Sequence, residues 1–146
     1  MEYPKWQIRD FEAVDYEHVL DLWKQTDLGG AQRGDDLKVI QATLNSGGKF
    51  LVMHDSKDGT LIGTSWITND HRRLYLHHFG VLPAYQKMGL SKPLLKASLQ
   101  YAKEMNLQIK LEVHKGNELA VNLYSNGGFS FLGDYDVYII RDLSKF

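Results

Sequence analysis

Residues 49–82 hold three apolar segments separated by two turn sequences, and no other stretch constrains the fold so tightly. Residues 49–54 (KFLVMH) are rich in strand formers. Residues 55–59 (DSKDG) end in Asp-Gly, a strong hairpin signal, and residues 60–68 (TLIGTSWIT) supply the partner strand. Residues 69–73 (NDHRR) turn the chain into residues 74–82 (LYLHHFGVL), apolar on much of both faces and so expected in the interior of a sheet. Strands joined this closely pair antiparallel, because a parallel return needs a dozen or more residues.

The flanks change character. Residues 6–11 (WQIRDF) alternate as a short strand. Asp15 stands where it can cap a helix whose apolar stripe is Tyr16, Val19, Leu20 and Trp23, ended by Asp27-Leu28-Gly29-Gly30. Residues 30–34 read as a loop, and Leu37, Ile40 and Leu44 mark a second helix stopped at Gly47-Gly48. Beyond the meander, residues 83–90 form a loop and Ser91 opens a helix reaching about Met105, with Pro93 in its first turn. A strand at residues 107–113, a helix at 117–126 closed by Gly127-Gly128, and two closing strands at 129–132 and 135–141 complete the order β-α-α-β-β-β-α-β-α-β-β. A meander followed by crossovers predicts an α/β (α+β) chain. Its mixed, mostly antiparallel sheet would have six to seven strands, with about four helices on its two faces.

Composition narrows the class. The 146 residues suit one domain, 1–146, with 43% hydrophobic and 24% charged residues. No apolar run approaches the ~20 residues of a membrane helix. Met1 to Trp6 contain no apolar signal core. A net charge of −1 argues against a general nucleic-acid binder. The absence of cysteine removes disulfides, thiolate nucleophiles and zinc knuckles. A cytoplasmic protein without metal fits these features.

Two segments carry chemistry. Gln86-Lys87-Met88-Gly89-Leu90-Ser91 follows a strand and opens a helix. Amides at a helix start lack intrahelical partners and favour a phosphate, glycine permits close approach, and Lys87 and Lys92 add charge. The plain alternative is an ordinary strand-to-helix turn. The second segment runs from Glu112 through Asn117, Ala120 and Leu123-Tyr124 to Gly128-Phe129, with Asn117, Ala120 and Tyr124 on one helical face. Asn117 also suits an N-cap, and Tyr124 an ordinary core aromatic.

Together these segments resemble the GNAT superfamily of N-acetyltransferases. The family's Q/R-x-x-G-x-G/A loop is met by Gln86-x-x-Gly89-x-Ser91, with serine at the last position, after Val81-Leu82-Pro83-Ala84-Tyr85. Leu111-Glu112-Val113, Asn117, Ala120, Leu123-Tyr124 and Gly128-Phe129 are similar to the bacterial ribosomal-protein-type enzymes, as are Leu22-Trp23 and Asp35-Asp36. The resemblance implies a sheet whose two central strands splay apart. Backbone of Phe79, Gly80 and Val81 would pair with the pantetheine of acetyl-CoA, amides of Lys87 to Lys92 would hold its pyrophosphate, and Asn117 would touch its arm. Gln86 and Ala120 complete the implied cofactor set. Tyr124 would be the general acid. His77 or Glu112 would be the base, unless a water chain serves.

Strand alternation places Tyr75, His77, Phe79 and Val81 on one face and Leu74, Leu76, His78 and Gly80 on the other, so His77 and His78 diverge. The amine site would draw on Trp23, Asp27, Arg33, Asp35, Asp36, Trp66 and Tyr138, although Asp35 and Asp36 equally suit a helix start. The implied activity is acetyl transfer to a primary amine of a small molecule or protein. A non-catalytic acyl-CoA-binding domain of the same fold is the alternative, and an unrelated interaction module the third reading. The closing aromatic strands, with Tyr135, Tyr138 and Phe146, suit either core or a homodimer contact.

Overall fold

A computed structural model describes residues 6–29 and 34–146. Strand β1 (Trp6–Asp10) leads through a short 3-10 turn into helix α1 (Tyr16–Gln25), followed by α2 (Leu37–Asn45). The meander comprises β2 (Lys49–Asp55), β3 (Leu61–Asn69) and β4 (Leu74–Val81). A 3-10 turn at Pro83–Tyr85, α3 (Ser91–Met105), β5 (Ile109–Leu111) and α4 (Glu118–Asn126) follow.

The sheet order is β1-β2-β3-β4-β5, antiparallel except for the parallel pair β4 and β5. Both turns of the meander close through aspartate. The Asp55 carboxylate accepts from the Lys57 amide at 2.8 Å, and Asp70 accepts from Arg72 and Arg73 at 2.8 and 2.7 Å.

Two expectations need correction. Among the described residues the sheet has five strands rather than six or seven. Residues 129–132 and 135–141 form no strand, and every residue from Ser130 to Phe146 is exposed. A strand exists only through a ladder partner, and no described chain lies along the outer edge of β5. For the same reason β5 spans three residues: only Leu74, Leu76 and the Tyr75 between them pair with it.

Asp15 does not cap α1 with its side chain. Its carboxylate accepts both Arg9 guanidinium nitrogens at 2.8 Å and the Glu12 amide at 2.8 Å. Burial pushes this carboxyl up, but Arg9 and the Glu12 amide outweigh it and hold Asp15 below the usual carboxylate range.

The core has two sides. Val19, Leu22 and Trp23 of α1 and Ile40 of α2 bury against Phe50, Val52 and Trp66 on one face. Leu94 and Leu95 of α3 cover Met53, Ile62, Ile67, Leu74 and Leu76 on the other. Ser65 and Ser98 join hydroxyl to hydroxyl at 2.6 Å beneath α3. No helix among the described residues is long and apolar enough to cross a membrane.

Candidate active site

The site begins where β4 and β5 part. They pair in parallel only from Leu74 to Leu76. Beyond Leu76, β4 continues to Val81 with no described strand on that side, so Phe79, Gly80 and Val81 border a slot in which no strand pairs with them.

A β-bulge shapes the slot. Thr64 pairs with Gly80 and Trp66 with His77, so His78 and Phe79 together oppose Ser65. His78 takes φ +42°, uncommon for a residue with a side chain. The conformation is held from below: Trp23 Nε1 donates to Thr64 Oγ1 at 3.1 Å, and that hydroxyl donates to the His78 carbonyl at 2.8 Å.

The bulge overturns the expected divergence of the two histidines. Both rings lie on the α1/α2 face, 6.2 Å apart, each against Trp66 at 5.8 and 5.5 Å. Phe79 and Val81, expected beside His77, turn instead toward α3 and the β3 residue Gly63.

The α1/α2 side of the slot is polar. His77 stacks on Tyr75 at 4.2 Å and shares a hydrogen bond with Thr68 Oγ1 at 2.9 Å. Burial, helped by the neighbouring His78, pushes its pKa down to about 4 against the pull of Asp35 and Glu112, so it is neutral at physiological pH. Burial, with the neighbouring Glu112 carboxylate, pushes the Tyr75 phenol well above its usual value. His78 Nε2 meets Asp35 Oδ2 at 2.9 Å. Gly29 is packed so closely here that a Cβ would collide with Asp35 Oδ2 and His78 Nε2.

The opposite side holds Tyr124 of α4. Its ring meets Phe79 and Phe129 edge-to-face at 6.0 and 5.7 Å. Burial raises its pKa to about 12, so its hydroxyl keeps a proton at neutral pH.

The loop before α3 supplies donors. Lys87 and Gly89 take φ +68° and +75°, and the Gln86 side chain donates to the Val81 carbonyl at 2.9 Å, tying the loop to the slot. No acceptor among the described residues takes the amides of Lys87, Met88, Gly89 or Leu90. A Cβ on Gly89 would meet nothing within 4 Å, so space stands open above the loop. A nest of free amides at a helix start over open space suits a diphosphate. Between α3 and α4 a groove lined by Lys92, Leu95, Lys96, Leu99 and Leu123 runs on from the loop.

Not every expected residue gathers here. Asn117 caps α4, its side chain accepting from the Ala120 amide at 3.2 Å. Asp36 caps α2 through Val39 at 2.8 Å. Trp23 is wholly buried and Tyr138 stands 91% exposed. Trp66 is buried and donates to Thr43 Oγ1 at 2.9 Å. Asp27 is exposed at φ +55°, and Arg33 lies outside the described residues. Asp35 and Asp36 thus divide: the helix-start reading holds for Asp36, whereas Asp35 joins His78. Tyr75 and the inward turn of His78 were missed. A histidine gives no local sign of positive φ, and the bulge is set by Thr64, fourteen residues away.

The model of the Acetyltransferase (GNAT) family matches residues 6–129. The chain belongs to the GNAT acetyltransferase family. The match spans the slot, the amide loop and Tyr124.

The chain is 36% identical over 70 residues to a spermine/spermidine N(1)-acetyltransferase of Bacillus subtilis. That stretch covers 47% of this chain and 46% of the relative, so the alignment reaches about half the length of each. The ribosomal-protein-S18-alanine N-acetyltransferase of Escherichia coli has the same fold. Its TM-score is 0.72 at 18% identity, covering 86% of this chain and 77% of the other. So does AAC(6')-Iy, solved with a CoA-linked bisubstrate analogue, at TM-score 0.68 and 17% identity, covering 94% and 97%. GNAT proteins use acetyl-CoA, and the free amides and open loop of this chain fit its diphosphate. Among the described residues no cluster of three or more His, Asp or Glu could hold a metal ion.

The low pKa of His77 has a measurable consequence. Between pH 6.5 and about 4 the unfolded chain binds a proton that the folded chain refuses, so stability falls as pH drops through that window. His77→Gln is expected to flatten this part of the stability curve. Urea melts between neutral pH and about pH 4 that keep the wild-type slope in the variant would contradict it.

Proposed function

We propose that this chain is an acetyl-CoA-dependent N-acetyltransferase acting on a primary amine, with a cationic polyamine as the first class of acceptor to test. The observation that carries this reading is the slot between β4 and β5, with a protonated tyrosine on one face and carboxylates on the other. Similarity to a spermine/spermidine acetyltransferase supports the acceptor class.

The backbone of Phe79, Gly80 and Val81 would bind the pantetheine arm as an added strand. Amides from Lys87 to Ser91, with the Lys87 and Lys92 ammoniums, would hold the diphosphate, and Gln86 would keep the loop in place. Asn117 and Ala120 line the approach at the start of α4. When bound, acetyl-CoA supplies the acetyl group as an activated thioester. A backbone amide near Val81 would stabilise developing oxyanion charge.

The residues divide the proton work by face. Tyr124 holds a proton on the α3 side, where a leaving sulfur needs one. Glu112 and Asp35 on the other side draw in an ammonium. Glu112 is the exposed one of the two and is assigned to take the proton. His77, neutral and held by Thr68 and Tyr75, forms the wall beside it and is the poorer base because of its low pKa.

The test is release of free thiol from acetyl-CoA across a panel of polyamines, amino sugars and peptide N-termini. The chain has no cysteine, so a thiol reagent sees only the product. Amine-dependent release is expected, strongest with polyamines. Binding of acetyl-CoA without release on any amine would overturn the enzyme reading.

A loop variant tests the anchoring separately. Gly89→Asp places a carboxylate beside the diphosphate, a repulsion of about 1–4 kcal/mol at contact distance. Acetyl-CoA affinity should fall roughly fivefold to several hundredfold. Unchanged affinity by calorimetry would remove the loop from the binding site.

A further inference from the structure

We propose that Lys110 is an acetyl acceptor within the chain itself, its side-chain amine taking the acetyl group from acetyl-CoA bound in the same molecule. This rests on the acyl-transfer reading above and on where the slot ends.

The direction of the cofactor follows from the fold. The amide loop begins past Val81, beyond the open end of β4. A CoA with its diphosphate there and its arm along Val81 to Phe79 points its thioester toward the closed end of the slot. That end is the last ladder pair, Leu76 with Leu111. Tyr124, edge-to-face with Phe79, covers the α3 side of this path. An attacking amine therefore comes from the α1/α2 side.

Lys110 stands on that side. It is the β5 residue directly before Leu111, in register with Tyr75. Its Nζ lies over the Tyr75 ring, 5.3 Å from the centroid, and that ring stacks on His77 at 4.2 Å. The ammonium is thus held on the His77 face, one residue from the closed end of the slot.

It is held by the ring alone. Lys110 is exposed, and among the described residues no carboxylate lies within ion-pair distance of it. Lys49 shows the contrast: it too lies over a ring, Tyr101 at 5.5 Å, but Asp10 fixes it at 2.8 Å. An exposed cation–π contact is weak, and the lysine stem is flexible. The amine can swing from Tyr75 toward the slot while its backbone stays in the ladder.

The ammonium first gives up a proton. Glu112, whose charge acts on both Tyr75 and His77, is the carboxylate placed to take it. The Nζ lone pair then attacks the thioester carbonyl carbon. A C–N bond forms, the C–S bond breaks, and the sulfur leaves with the electron pair. The sulfur takes one proton and the new amide nitrogen sheds one. The products are acetyl-lysine, CoA thiol and the proton first given up. Acetylation removes the charge, and with it the hold on Tyr75.

The test starts from full chain whose intact mass shows no acetyl group. With acetyl-CoA and no added amine it should gain one acetyl mass, mapped by peptide digest to Lys110. Placement beside the thioester should make Lys110 react at least about tenfold faster than any other lysine. The rate constant should not change with protein concentration, and excess free CoA should suppress it. Lys110→Arg keeps a cation for the ring but no primary amine, and should gain no acetyl at that rate. Label spread evenly over the lysines, or unmoved by free CoA, is solution chemistry and would overturn the site. A rate constant that rises with protein concentration means transfer between copies and would overturn it too. An unlabelled Lys110 beside thiol release on an added amine overturns self-acetylation and leaves the acyltransferase reading standing. No label and no thiol release on any amine overturns both.

Discussion

Tyr124→Phe is expected to lower kcat by about 10²–10⁴-fold, the range for removing a general acid, with acetyl-CoA affinity nearly unchanged. The ring is held by Phe79 and Phe129 through edge-to-face contacts that phenylalanine keeps, so the variant should fold as the wild type does. Only the hydroxyl goes, and burial raises its pKa to about 12. A group that still holds its proton at neutral pH can give one to a leaving thiolate. Loss of kcat with an unchanged KM for acetyl-CoA would mean that the hydroxyl acts in the transition state alone. Full activity would remove Tyr124 from the proton pathway and leave it as a packing residue.

Trp23→Ala should be the most damaging core substitution. The indole is wholly buried, stacked on Phe50 and Trp66 at ring distances of 6.0 Å, with His78 edge-on at 4.8 Å. Removing so large a buried ring costs about 3–5 kcal/mol. For a chain of this length that is a Tm drop of roughly 10–15 °C. The loss extends to the site, because the indole N–H holds Thr64, and Thr64 holds the backbone of the His78 bulge. Trp23→Phe keeps much of the ring volume but drops that donor. It should lose less stability while still weakening KM for the amine. A destabilisation below about 1 kcal/mol in the alanine variant would contradict the central place of Trp23.

The meander was legible because its signals are local. Asp55 and Asp70 write their turns within three residues, and the continuous apolar runs of β2 and β3 need no distant partner to be read. The loop at Gln86 to Ser91 and the Asn117 cap were legible for the same reason. What alternation missed was the bulge. A one-for-one register sends His77 and His78 to opposite faces, and the bulge opposite Ser65, where the Thr64 hydroxyl bonds the His78 carbonyl, brings them together. The pairing of Asp35 with His78 spans 43 residues and leaves no trace in spacing. The closing strands failed differently. Residues 135–141 have strand composition, but a strand is a property of a pair, and within one described chain the partner is missing.

The most direct measurement is thermal unfolding with and without acetyl-CoA, with ATP as the control for phosphate binding alone. Ligand at about 100 times its Kd stabilises by about 2.7 kcal/mol, a Tm rise of roughly 5–10 °C for this chain. The slot between β4 and β5 predicts that rise with acetyl-CoA and free CoA but not with ATP, and its loss in Gly89→Asp. No shift at saturating acetyl-CoA would contradict the assignment of slot and loop as the acyl-CoA site.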